Sequence, residues 1–353
     1  MATGNKIVLV TGATGAIGPC VVRELHNAGY HVRTMSLPEP APVLFPHDVE
    51  TYQGDISDPT SIQSIMENVD AVIHLAALLH VVNPSPELRS EYERINVGGT
   101  EAVVAAAIKA NVKRIVLFST ISVYGCSSAD VPLLDEDSPV RPDTFYAQTK
   151  LAAEQIILNV KGADGQPLGS VLRLAAVYGP RIKGNYGRLV QSLARGRFIP
   201  IGDGLNRRTL VYNQDAARAA VLAISHPDAA GEVFNVTDGQ FHTMEEIIAA
   251  ICAALGLRPP RFSLPVAPIR SVVSLLENAA NIIGFESPIV RATIDKYLED
   301  MAVSGEKIRR ILGFYPEFDL GLGWRETVRE MNQNGELRMP AKRAYRQSKV
   351  KKI

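Results

Sequence analysis

The sequence predicts an α/β protein: a doubly wound parallel sheet followed by a smaller C-terminal α/β region. Three observations carry this. Short β-branched runs alternate with helix-length stretches through the first half, and those runs are apolar almost throughout. After about Tyr178, glycine and proline begin to punctuate the chain. Near-continuous apolar strands separated by helices are the pattern of a parallel sheet covered on both faces.

In order, residues 6–11 (KIVLVT), 31–36, 71–75 (AVIHL), 114–119 (RIVLFS) and 170–174 (SVLRL) read as strands, with helices over 18–28 and 99–110. Beyond Tyr178 the breakers are GP at 179–180, GDG at 202–204, PP at 259–260, Pro265 and Pro268, with helices expected over 244–255 and 305–312. The helical pattern from Asp215 and the following VFNV suggest that 213–237 returns to the first sheet. The expected division is therefore 1–177 (with 213–237), a cap over 178–336, and a tail over 337–353. That tail has seven Lys or Arg and no acid, and reads as a solvated end.

At 353 residues the chain suggests about two domains. Lys plus Arg equals Asp plus Glu at 37 each, a balance that argues against a dedicated nucleic-acid binder. The 46% hydrophobic and 21% charged content is that of a globular chain. No apolar run reaches about 18 residues, and the N-terminus lacks the cleavage region of a secretory signal. Cys20, Cys126 and Cys252 are too few and too far apart for a disulfide framework or a four-ligand metal site. A reducing cytoplasm is the expected compartment.

The first strand runs directly into GATGAIG at 12–18 and then a helix. Glycines there permit a tight turn and let backbone N–H groups approach a dinucleotide pyrophosphate at the positive end of the helix. The tip of the second strand holds Ser36 where an acid would select NAD and a cation NADP; Ser36 excludes neither, and the balance is read towards NAD. Asp55, in GDI at 54–56, is placed near the adenine amine.

Tyr146 and Lys150 stand four apart, hence on one face of a helix. A tyrosine of ordinary pKa about 10 needs positive charge nearby to act as a base near neutrality. Ser119 and Thr120 end a strand where a hydroxyl can hold a substrate oxygen.

These segments together resemble the extended short-chain dehydrogenase/reductase family, in its nucleotide-sugar epimerase and dehydratase branch. The resemblance runs from about residue 5 to 330 through TGATGAIG (11–18), GDI (54–56), HLAA (74–77), INVGGT (95–100), FSTISVYG (118–125), FYAQTK (145–150), LRLAAVYGP (172–180) and FNVTDG (234–239). It implies a Rossmann sheet with a substrate-binding cap. The cofactor would be held by Gly12, Gly15, Ala16, Ile17, Gly18, Ser36, Asp55, Ile56, Leu75, Ala76, Ala77, Asn96, Ser119, Tyr146, Lys150 and Val177. For Asn96 a structural role is an equal alternative. Thr120, Tyr146 and Lys150 match the catalytic positions. Ser122, Asn185 and Arg208 match the substrate side, Arg208 as the diphosphate arginine; Arg207 reads equally as a surface cation.

Dehydratases of this branch carry Asp-Glu after the catalytic Thr, where this chain has Ile121 and Ser122, so elimination loses ground. The implied function is an NAD-dependent 4-epimerase of a UDP-sugar, a UDP-N-acetylhexosamine by the look of the cap. The alternatives are an NAD(P)H-dependent 4-keto nucleotide-sugar reductase and, behind it, a 3β-hydroxysteroid-type dehydrogenase. A regulator with a decayed site is disfavoured because Thr120, Tyr146 and Lys150 are all present. A homodimer is implied by the resemblance alone. His74, His80, Tyr124 and Tyr178 read as structural, and Cys126 as a bystander.

Overall fold

The structure is a computed structural model that describes residues 6–38, 45–79, 85–125, 133–182, 184–283 and 291–337. His80, Cys126 and the tail from 338 onward lie outside the described residues.

Seven parallel strands form the main sheet: β1 (Ile7–Thr11), β2 (His31–Ser36), β3 (Glu50–Gln53), β4 (Ala71–His74), β5 (Arg114–Thr120), β6 (Gly169–Leu174) and β9 (Val233–Val236). Their order is β3-β2-β1-β4-β5-β6-β9. The last pairing aligns Val171 with Val233 and Leu174 with Val236. The order reverses between β1 and β4, which opens a crevice at the carboxyl ends of those strands.

Alternation along β1 builds two cores. Val8 and Val10 face α1 (Gly18–Asn27) and α7 (Asn213–Ser225), meeting Val21, Leu25, Ala216 and Ala220. Leu9 faces the other layer, with Val72, Ile115, Val103 of α4 (Gly99–Lys109) and Ile157 of α5 (Phe145–Asn159). Helix α2 (Pro59–Ser64) joins this layer, with Ile62 in the second core. A strand apolar on both faces is stable only when covered on both.

One irregularity bears on the site. Helix α3 (Pro86–Tyr92) passes through a π-helical turn at Glu93–Gly98 into α4 without leaving helical backbone. π-turns of this kind place an extra residue on one face and concentrate at functional positions. Gly99 follows because a Cβ there would lie 2.6 Å from Cδ1 of Ile56.

The second sheet has three strands, β7 (Ala176–Tyr178), β8 (Arg207–Tyr212) and β10 (Phe241–Thr243), in the order β10-β8-β7. Helices α6 (Asn185–Arg195), α8 (Met244–Ala254) and α12 (Leu320–Gln333) surround a third core of Tyr178, Leu193, Ile247, Ile251 and Trp324. Gly323 is required there, since a Cβ would sit 2.1 Å from the Tyr178 hydroxyl. Helices α9 (Val266–Ile283), α10 (Arg291–Leu298) and α11 (Glu306–Leu312) complete the described chain.

Four of these helices, α6, α9, α10 and α12, were not expected from the sequence. Pro268 reads as a breaker, yet it is the third residue of α9, where an amide N–H has no intrahelical partner to lose. In α12 two early glycines hide the pattern, and Asp319 starts the helix by accepting from Leu322 N at 2.7 Å.

Candidate active site and cofactor cleft

The glycine loop leaves β1 with Gly12 at φ +70°, tied to β2 by Gly12 N donating to Met35 O at 2.7 Å. A Cβ at Gly12 would lie 2.7 Å from Ala76 N, and one at Gly18 would lie 2.1 Å from Ala13 O. Only glycine lets β1, the turn and the loop after β4 come this close. Gly15 N donates to Gly12 O at 3.0 Å and closes the turn. Ala16 and Ile17 lead into α1, whose N-terminus has no side-chain cap. Uncapped amides at a helix start suit an anion such as a pyrophosphate.

Ser36 belongs to this cradle: its hydroxyl accepts from Thr14 N at 3.1 Å. Leu75, Ala76 and Ala77 continue from β4 on the far side of the crevice, with Leu75 N donating to Thr11 O at 3.2 Å. Asp55 lies beyond β3 and accepts from Ser57 N at 2.9 Å and from Arg94 at 3.2 Å. Ile56 is buried against Gly99. Val177 sits on β7, opposite Val211 of β8.

A buried chain of hydrogen bonds links the cradle strand to α5. Thr100 Oγ1 donates to Asn96 O at 2.7 Å, so it accepts from His74 Nε2 at 3.1 Å. His74 Nδ1 therefore accepts from Thr11 Oγ1 at 2.7 Å. Burial holds the His74 imidazole neutral, its pKa pushed down to about 3. Asn96 then reaches both ways. Its Oδ1 accepts from Leu78 N at 2.7 Å, while its Nδ2 donates to Thr149 Oγ1 at 3.1 Å. Thr149 Oγ1 donates in turn to Tyr146 O at 2.9 Å.

Tyr146 is the second residue of α5, just inside the Thr144 cap that accepts from Ala147 N at 3.2 Å. Its ring meets Tyr92 edge-to-face with centroids 6.3 Å apart. Burial, with Tyr92 adding to it, raises the phenol to about 12. Lys150 lies one turn on and is buried; burial draws its ammonium down to about 8, against the opposing pull of Glu154. Thr120 ends β5 and caps the following 3₁₀ turn, accepting from Ser122 N at 3.1 Å, which leaves its own proton for another acceptor. Ser122 stands at the same turn, half-buried.

Ser119 does not share Thr120's direction. It is buried and donates to Glu154, which also holds Arg173 at 2.8 Å. Arg173 donates to the Tyr124 hydroxyl at 3.0 Å, and Tyr124 to Asn235 Oδ1 at 2.8 Å. Sequence reasoning missed this network beneath the site. Its members lie on α5, β5, β6, β9 and the 3₁₀ turn after β5, and in the sequence only Arg173, a charge in an otherwise apolar strand, hinted at it.

On the cap side, Asn185 opens α6 and is exposed. Arg208 is largely enclosed, paired with Glu299 at 3.0 Å and donating to the carbonyl oxygens of Lys296 and Tyr297. Arg207, its neighbour, pairs with Asp300 at 2.7 Å. Among the described residues no cluster of His, Cys, Asp or Glu is suited to a metal ion.

The sheet reversal, the glycine cradle and the Tyr–Lys helix define a dinucleotide-dependent oxidoreductase-type enzyme of the Rossmann class. The chain belongs to the NAD dependent epimerase/dehydratase family, whose sequence profile matches residues 8–237, and it is an NAD-dependent enzyme. A UDP-glucose 4-epimerase of Vibrio cholerae is 29% identical over 277 residues, covering 75% of this chain and 81% of that protein. A 3 beta-hydroxysteroid dehydrogenase/Delta 5→4-isomerase of Mycobacterium tuberculosis is 28% identical over 324 residues, 88% of this chain and 86% of that one. Among solved structures, MoeE5 in complex with UDP-glucuronic acid and NAD is 28% identical with a TM-score of 0.72, covering 93% of this chain and 99% of that chain.

Proposed function

We propose that this chain is a 4-epimerase of a UDP-sugar, a UDP-N-acetylhexosamine, with Thr120, Tyr146 and Lys150 as its catalytic residues. The observation that carries the reading is the composition of the turn after β5. Thr120 and Ser122 present hydroxyls there, beside the helix that bears Tyr146 and Lys150, and neither Ile121 nor Ser122 supplies the carboxylate that elimination needs. The similarity to the Vibrio cholerae epimerase and to MoeE5 supports the substrate class.

In this mechanism Thr120 donates to the sugar O4 and orients it, while Tyr146 takes the proton from the 4-hydroxyl. Lys150 remains cationic at neutral pH and stabilises the phenolate; without nearby positive charge, burial keeps Tyr146 protonated. Gly12, Gly15, Ala16, Ile17 and Gly18 would hold the pyrophosphate, Ser36, Asp55 and Ile56 the adenosine end, and Leu75, Ala76, Ala77 and Val177 would line the cleft, with Asn96 and Ser119 buried behind it. NAD, when bound there, would supply reversible hydride transfer at C4, leaving no net redox change over one turnover. Ser122, Asn185 and Arg208 hold the substrate, over a cap read as 178–336. Two copies associate through helices of the first unit.

A second reading is favoured by one observation. Arg208 is already engaged by Glu299 and two carbonyl oxygens, so a diphosphate has to displace a carboxylate to reach it. A reductase or a 3β-hydroxysteroid-type dehydrogenase, which consumes its cofactor, uses the same Tyr146 and Lys150. The purified protein incubated with UDP-N-acetylglucosamine and no added cofactor separates the two. Conversion to the galacto epimer, followed at the anomeric protons by NMR, supports the epimerase. Inertness to UDP-sugars, with stoichiometric oxidation or reduction of added nicotinamide by an alcohol or ketone, overturns it.

A further inference from the structure

We infer that the cap carries a face that docks on an anionic lipid bilayer. The segments 194–202 and 254–275 meet where Leu264 N donates to Pro200 O at 2.8 Å and Gly202 N donates to Leu264 O at 2.9 Å. Large apolar side chains along them point to solvent: Phe262 is 83% exposed, Leu275 70%, Ile199 55% and Val272 52%. Val272 and Leu275 stand three apart on α9, opposite the buried Val273. Isolated exposed apolar residues are ordinary, but several large ones on two adjoining segments mark an interaction site.

The charge pattern identifies the partner. The chain as a whole is neutral, while the two segments hold five arginines and no acid, the nearest acids in the chain being Asp203 and Glu277 just past their ends. Arg195, Arg197, Arg258 and Arg261 flank the apolar positions and are exposed, and among the described residues none is in an ion pair. Arg270, further along α9, is balanced by Asp295. A second copy of this chain would bring like-charged arginines face to face across an isologous contact. A polyanion without lipid would leave Phe262 and Leu275 in water. Apolar side chains interleaved with unpaired arginines match the acyl boundary and headgroups of an anionic membrane together.

No described helix is long and apolar enough to cross a membrane, so the contact is with the surface. The face adjoins the substrate side of the cap, because Val266 of α9 and Leu298 of α10 both pack at Gly202 and Arg208 is held by α10 and the residue after it.

The test is flotation of the full chain with vesicles of phosphatidylcholine alone or with phosphatidylglycerol added. The expected result is binding only to the phosphatidylglycerol vesicles, weakened by salt. Arg258→Gln and Arg261→Gln each lower binding roughly fivefold. Phe262→Ser with Leu275→Ser abolishes it while Tm and turnover stay unchanged. Equal recovery with both vesicle types overturns the inference. So does binding that survives all four substitutions and is lost only on deleting 338–353, or a vesicle-independent dimer dissolved by Phe262→Ser.

Discussion

The Asn96 amide donates to the Thr149 hydroxyl at 3.1 Å, and through it the π-turn ahead of α4 is tied to the first turns of α5. Thr149 passes the connection to the Tyr146 carbonyl. The same Asn96 side chain holds both backbone groups of Leu78 on the loop after β4. One buried amide thus fixes the two walls of the cleft relative to each other.

Asn96→Ala leaves Leu78 N without its acceptor inside the protein, a loss of about 1–3 kcal/mol. Urea denaturation should show a lower midpoint at unchanged slope. Turnover should fall more than cofactor affinity does, because the substitution frees α5 rather than the glycine cradle.

Tyr146→Phe removes the base and keeps the ring contact with Tyr92. Turnover should drop by about 10²–10⁴-fold, the usual span for general acid–base catalysis, with cofactor binding preserved. Turnover at the wild-type level would reassign the base.

Lys150 gives a signed pH prediction. Its folded-state value of about 8 lies below the ordinary 10.5, so between these values the unfolded chain binds the extra proton and stability rises with pH. Below pH 8 the full penalty of burying the ammonium is present. Lys150→Met should therefore be more stable than the wild type at pH 7. Its advantage should shrink as the pH passes through 8 and vanish above about 10.5, a comparison made by thermal melts in the cofactor-free protein.

Glu154 and Arg173 are both buried, 2.8 Å apart. Truncating one partner strands the other, so Glu154→Ala should cost about 3–5 kcal/mol. Replacing both, as Glu154→Leu with Arg173→Met, should recover much of that loss. Equal destabilisation by the single and double variants would show that the pair does not act as a unit.

Much of the first sheet was legible in the sequence because its signals are local. The expected strands are five or six residues long, all but HVRTMS at 31–36 largely apolar, and each begins or ends within a residue of its place in the structure. The GATGAIG turn could be placed because strand, turn and helix are contiguous there. Tyr146 and Lys150 needed only helical spacing.

Other features depended on distant partners. Helix α9 begins with a proline in its first turn and was hidden by the residue that usually ends a helix. Arg207 and Arg208 looked like free cations for a diphosphate, yet β8 brings them against Asp300 and Glu299, more than 90 residues on. Ser119 and Thr120 are neighbours in the chain, but the pleat sends one hydroxyl to Glu154 and the other to the turn of Ser122.

By itself, then, the sequence determined the doubly wound sheet, the glycine cradle and the Tyr–Lys helix, because backbone periodicity and short-range spacing are written in adjacent residues. The tertiary structure decided what Asn96, Glu154, Arg173 and Arg208 hold. A buried polar group must find a partner wherever the fold places one, and chain distance carries no record of that place.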